Sequence, residues 1–252
     1  MKIFSAFLVL FILFSFRFPI DWEGDAPLKN FLPFYSDAEQ IITHTGYTLC
    51  YSEKHEQAKW VAYHLTKQMS EAAPIKRSND FRPDPFVKTG SATPEDYYRS
   101  GYDRGHLCPA GDMKASEQTM SESFYMSNMS PQLPGFNRGI WKRLEEKVRQ
   151  WSIANEELYV VAGGVLNDTM PFIGRDHVYV PKYFYKIILD YKQPEIKAIG
   201  FLMENRSSQR SVFSYAVPVD SIEAYTGINF FHELPDSIEN SLESKVDTML
   251  WK

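Results

Sequence analysis

An α+β fold is the architecture this chain predicts. Strand-like runs crowd into its second half, and helical patterns fall between them at irregular intervals. A regular strand–helix alternation, the mark of a parallel sheet, is missing. The 252 residues, 44% hydrophobic and 15% aromatic, are enough for a substantial core. This composition excludes a disordered tail, a collagen-like fibre and a multi-span membrane protein. Two cysteines exclude a disulfide-dense scaffold.

The elements follow in chain order. Lys2 precedes an apolar run, Ile3 to Phe16, interrupted only by Ser5 and Ser15. This matches the basic and apolar regions of a secretory signal and is short for a spanning helix, which needs about 20 residues. Residues 1–20 are therefore read as a signal peptide, with an uncleaved membrane anchor as the alternative. The protein is expected to be secreted or periplasmic. Residues 21–40 carry Pro, Asp and aromatics without a period and read as a linker or loosely docked arm. Residues 41–252 show no further boundary and read as one domain.

Tyr47–Tyr51 reads as a strand. Glu56–Met69 reads as a helix, because Ala58, Val61, Ala62, Leu65 and Met69 share one face. Residues 74–101, broken by four prolines and two glycines, read as a long irregular stretch, a feature often tied to function. Ser121–Met126 fits a strand or a short helix. Arg138–Ala154 is the clearest helix, with Trp141, Leu144, Val148 and Trp151 in one stripe and Asn137 at the N-cap position. Leu158–Ala162, Val178–Val180, Phe184–Leu189, Ile196–Met203 and Val212–Val217 read as strands. Ile222–Tyr225 starts a short helix, and Ile238–Leu250 reads as a terminal one.

Chemistry concentrates in two places. The first is Gly101–Asp112, which sets Asp103, Arg104, His106, Cys108 and Asp112 between glycines and a proline. His106 suits a general base near neutral pH, and the planar guanidinium of Arg104 suits phosphate oxygens. Gly105 permits a close approach that a side chain would forbid. A polar turn held by an Asp–Arg pair is the plainer reading. The second place runs from Asn128 to Glu145. The amide of Asn137 fits either a helix cap or a neutral ligand for a hard cation. Glu145 lies two turns further on; it fits a partner for metal-bound water or for Arg149 at i+4.

Taken together the two clusters are specific. Asp103-Arg104-Gly105-His106, Asn128, Asn137, Trp141 and Leu144-Glu145 resemble the hallmark of the DNA/RNA non-specific endonucleases of the ββα-metal class. The likeness runs from about Thr48 to Phe230. It implies a central, mostly antiparallel sheet flanked by helices, with a ββα-metal catalytic core. It also implies that His106 activates water, that Asn137 is the one direct protein ligand of a hydrated Mg²⁺, and that Glu145 holds the water shell. Mn²⁺ or another divalent ion is an accepted substitute. Arg104, Arg77 and Arg149 would contact phosphate, and Asn128 would brace the site. The substrates implied are DNA and RNA with little sequence preference, cut to leave 5′-phosphate ends. An inhibitor protein and a homodimer are further partners compatible with this reading.

The formal charge of −5 gives no global sign of a nucleic-acid partner. Locally, Arg138, Lys142, Arg143, Lys147 and Arg149 outnumber Glu145 and Glu146, so one helix carries a basic strip or simply a solvated face. Contacts confined to the phosphate backbone carry little sequence information. Export would make Cys50 and Cys108 a candidate disulfide, against two buried thiols. Cys108 two residues after His106 also admits a cysteine hydrolase. A silent nucleic-acid-binding protein and a phosphodiesterase on another substrate complete the alternatives. His44, His55, His64, His177 and His232 lack ligand spacing and read as structural or surface residues.

Overall fold

A computed structural model describes residues 28–252; the signal or anchor reading of residues 1–20 lies outside them. The scaffold is a seven-stranded sheet in the order β1-β2-β3-β6-β9-β10-β11, antiparallel at every pairing. Its strands are β1 (Gln40–Thr43), β2 (Thr48–Ser52), β3 (Gln57–Thr66), β6 (Glu157–Gly164), β9 (Tyr183–Asp190), β10 (Lys197–Glu204) and β11 (Ala216–Val217). Two hairpins stand apart: β4 (Asp103–His106) with β5 (Met129–Gln132), and β7 (Phe172–Ile173) with β8 (Val178–Tyr179). The helices are α1 (Lys67–Glu71), α2 (Glu117–Glu122), α3 (Lys142–Asn155), α4 (Val219–Thr226) and α5 (Asp236–Glu243).

Both faces of the sheet are buried. On β6, Leu158, Val160 and Ala162 join one apolar cluster, while Tyr159 and Val161 join the other. On β9, Phe184 and Ile188 alternate with Tyr185, Ile187 and Leu189 in the same way. This is the period of two that a pleated strand imposes. The first face packs under α3 and the β4–β5 hairpin, through Trp141, Leu144, Val148 and Trp151. The second packs under α4, α5 and the N-terminal segment, through Val219, Ile222, Leu242 and Phe31.

Burial on both faces explains the main correction. Residues 57–66 are a central strand, not the expected helix; the helix proper is only α1, capped by Thr66 Oγ1 on the Met69 amide (3.2 Å). A strand buried on both sides is apolar throughout, so helical spacing can be found in it as readily as alternation. Trp60, Val61 and Tyr63 carry the opposing signal, since aromatic and β-branched residues favour pleated surfaces.

Four smaller differences follow. The N-terminal arm is not loose from Leu28 onward: Phe31 and Leu32 are buried, and Phe31 meets the ring of Tyr159 at 4.1 Å. Residues 212–217 form a 3₁₀ turn and only two strand residues. The terminal helix ends at Glu243, and a separate 3₁₀ turn covers Thr248–Trp251. The long helix opens as a π-turn over Phe136–Trp141, with non-helical angles at Gly139, before α3 begins at Lys142. Asn137 therefore sits inside that turn and does not cap a helix.

Candidate active site

Strand β4 builds the site. Residues 104 and 106 share one face of it, so Arg104 and His106 project together. The opposite face is closed by Gly105, where an added Cβ would lie 2.2 Å from Cδ of Gln132 on β5. A side chain at this position would collide with the buried side chain of Gln132, which packs against the glycine.

His106 is 8% exposed, and its Nε2 has no hydrogen-bond partner. Its ring stands edge-to-face on Phe124 at 4.9 Å and faces Phe81 at 5.8 Å. Burial, then the charges of Arg77 and Arg104, push its pKa down to about 3, so the imidazole is neutral at pH 7. The guanidinium of Arg104 stacks 4.0 Å over Phe81, and that of Arg77 lies 4.7 Å over Phe124. Two phenyl rings thus place two cations beside one unprotonated imidazole. Arg77, Phe81 and the residues around them come from the long irregular stretch, which here lines the site.

Asn128 fixes the chain that leaves β4. Its Nδ2 donates to Cys108 O (2.9 Å) and Ser123 O (2.8 Å), and its Oδ1 accepts from Cys108 N (2.8 Å). Fully buried, it touches backbone rather than solvent; it positions His106.

Asp103 orients the Asn137 side chain. It accepts from Asn137 Nδ2 (2.9 Å) and receives a two-point contact from Arg138 (2.8 and 2.6 Å). Burial works against its charge, but the Arg138 and Asn137 hydrogen bonds and the Arg138 and Arg104 charges hold its carboxyl below the usual range. The Asp–Arg pair of this turn is therefore made by Arg138, not Arg104. Because Asn137 donates through Nδ2, its Oδ1 is left as an acceptor.

Glu145 is half-buried and forms no hydrogen bond or ion pair with the described residues. Burial pushes its pKa up to about 7 against the charges of Lys186, Arg149 and Arg77, with Asp112 adding to the rise. Its expected partner Arg149 is turned to Asp112 instead (2.6 Å). Asp112 is fully buried and also accepts from Tyr63 Oη (2.9 Å). Lys186, fully buried on β9, donates to Leu107 O (3.3 Å) and lies 4.8 Å from the ring of Trp141. Arg149 thus belongs to an internal charge cluster with Asp112, Lys186 and Glu145, while Arg77 and Arg104 flank His106.

The sequence reading passed over Lys186, Phe81 and Phe124. Lys186 had a signal, being the lone charge in an otherwise apolar strand. The two phenyl rings had none, since aromatics are mostly core. The basic strip is also divided: Arg138 serves Asp103, Arg143 donates to Ser208 O, and Arg149 serves Asp112. Cys50 and Cys108 are free thiols in the clusters on opposite faces of the sheet, so the candidate disulfide does not form. Burial raises the Cys108 thiol well above its ordinary value, which disfavours the thiolate that a cysteine hydrolase needs.

The donor set fits a hard divalent cation. Asn137 offers an amide oxygen and Glu145 an unpaired carboxylate, while the buried Nε2 of His106 lacks a proton donor. Oxygen donors completed by water suit Mg²⁺ or Mn²⁺.

An antiparallel hairpin bearing the histidine, followed by a helix bearing the carboxylate, is the ββα-metal arrangement. A family model described as DNA/RNA non-specific endonuclease matches residues 30–237, and the chain belongs to that family. It is 35% identical over 207 residues to the mitochondrial nuclease EXOG of Danio rerio, covering 76% of this chain and 60% of that protein. It is 34% identical over 219 residues to a nuclease of Nostoc sp., covering 82% and 78%. The EndoG chain in the crystal structure of the EndoG/EndoGI complex superposes with a TM-score of 0.76 at 30% identity, over 82% of this chain and 91% of that one. The chain spans less than two thirds of the length of the first EXOG relative.

Proposed function

We propose that this chain is a divalent-metal-dependent endonuclease that hydrolyses the phosphodiester bonds of DNA and RNA with little sequence preference. The carrying observation is the neutral, unpartnered Nε2 of His106 between Arg77 and Arg104. Arg104 and Arg77 pair with the phosphate; their charge is then shared with it, and the pKa of His106 rises toward that of an effective base. The neutral imidazole of His106 accepts a proton from water as the water oxygen bonds to phosphorus. The bond from phosphorus to the 3′ oxygen breaks, and that oxygen keeps the electron pair and takes a proton from solvent water, leaving a 5′-phosphate and a 3′-hydroxyl. Asn137 would hold the cation through Oδ1, and Glu145 would hold its waters. Bound there, Mg²⁺ or Mn²⁺ supplies neutralisation of the charge that builds on the phosphate.

Residues 1–20 are proposed to direct export, on the strength of Lys2 and the apolar run that follows. The likeness to EndoG in a complex with EndoGI supports an inhibitor protein as a partner. The test is residues 21–252 on closed circular plasmid and on structured RNA, with Mg²⁺, with chelator, and with His106→Ala. Metal-dependent cutting of both, lost in the variant, is expected. Retained binding without any cutting would overturn the enzyme reading and leave a silent binding protein.

A further inference from the structure

The first turn of α4, the middle of α4 and the end of α5 bring three carboxylates together on the face of the sheet opposite the active site. Oxygens of Asp220, Glu223 and Glu243 all lie within 4.8 Å of one another. Glu243 is 5% exposed, and its Oε1 has no hydrogen-bond partner. A buried, ionised oxygen without a partner is costly. Glu243 is also the last residue of α5, where the helix dipole disfavours a negative charge. Among the described residues none of the three forms an ion pair, and the charges acting on Glu243 are those of Glu223, Glu239 and Asp220, all acidic. Glu223 already accepts from the Phe230 amide through Oε1 (2.8 Å), which fixes its carboxylate in place.

We propose that Asp220, Glu223 and Glu243 form a second, structural site for a hard divalent cation, Ca²⁺ in particular, which clamps α4 to α5. Ca²⁺ takes oxygens at about 2.3–2.6 Å, so oxygens around one ion can stand up to about 5 Å apart. The cluster falls within that spread. Ca²⁺ also accepts irregular arrangements of carboxylates, whereas Mg²⁺ demands near-octahedral geometry and keeps most of its water. Asp220 is exposed and leaves an entry for the ion. The site stands apart from catalysis: α4 and α5 pack on the cluster that holds Phe31 and Ile222, and His106 lies across the sheet.

Thermal unfolding of the Asn137→Ala protein, from residue 21 on, isolates this site from the catalytic cation. Millimolar Ca²⁺ is expected to raise its midpoint by roughly 5 °C over chelator, as a ligand well above its dissociation constant does. Adding Glu243→Gln should abolish the shift, and adding Asp220→Asn, at an exposed position, should reduce it. Absence of a shift in Asn137→Ala would overturn the proposal. So would a shift of full size that survives Asp220→Asn, the deciding variant should Glu243→Gln fail to fold.

Discussion

Asn128 and Cys108 exchange two hydrogen bonds, side chain to backbone: Nδ2 donates to Cys108 O at 2.9 Å, and Cys108 N donates to Oδ1 at 2.8 Å. A residue on the neighbouring strand would offer Cys108 the same donor and acceptor. The amide thus carries the β4–β5 pairing past its last register pair, His106 with Met129, and ties down the chain that leaves β4. Asn128→Ala leaves Cys108 N, Cys108 O and Ser123 O buried without this partner. A loss of roughly 3 kcal/mol is expected, at about 1 kcal/mol or more per bond, read as the urea midpoint. Asn128→Asp keeps the acceptor but loses the donor, and should be no more stable.

Asp103 sets the orientation of Asn137, so its loss should act through the cation. Asp103→Ala frees the Asn137 amide to turn either way. A rise of about tenfold in the metal concentration for half-maximal activity is expected, in line with other groups that orient ligands. Activity at saturating metal should largely return. An unchanged metal requirement would show that Asp103 serves only Arg138.

The depressed pKa of His106 makes folding depend on pH. Folded, it titrates near 3; unfolded, near its ordinary 6.5. Between these values the unfolded chain binds more protons, so stability rises with pH across the window and is lost as pH falls below 6.5. Glu145, raised to about 7 from 4.5, contributes the opposite slope between those two values. Comparing His106→Asn with the parent removes this common term. The variant should lose less stability than the parent between pH 7 and pH 4.5, measured in urea.

Both cysteines should behave as buried thiols. Cys50 is pushed up to about 12 by burial and by Glu39, and Cys108 is raised by burial. A thiol reagent should count no reactive groups in the native protein and two after denaturation. A reductant should leave the unfolding midpoint unchanged, and Cys108→Ala should retain cutting.

What could be read from the sequence depended on whether local spacing decides the outcome. The Trp141–Leu144–Val148–Trp151 stripe packs as its period predicts, because one face of α3 is wet. Residues 57–66 carry a helical spacing although they form a strand, because burial on both faces erases the alternation that marks one. His106, Arg104, Asn137 and Glu145 were legible as a spaced set, yet their partners were not. Arg149 and Glu145 stand at the helical spacing for a pair, but Asp112 arrives from a distant loop and takes Arg149 at 2.6 Å. Pairing across the fold outcompetes pairing along a helix when the distant partner is wholly buried, since an unpaired charge there costs most.

That internal cluster yields the last prediction. Lys186 is the strongest counter-charge acting on the Glu145 carboxylate, and it lies under Trp141 and beside Leu107 O. Lys186→Met keeps the length of the side chain and removes the charge. Glu145 then ionises less readily, so the acidic limb of the activity profile should move to higher pH. Asp112 keeps Arg149 and Tyr63, which limits the structural damage. A stability loss of roughly 3 kcal/mol is expected from breaking a buried charge cluster. Activity measured against pH on the folded variant separates the two effects: a role confined to stability would lower the profile at every pH without moving its acidic limb.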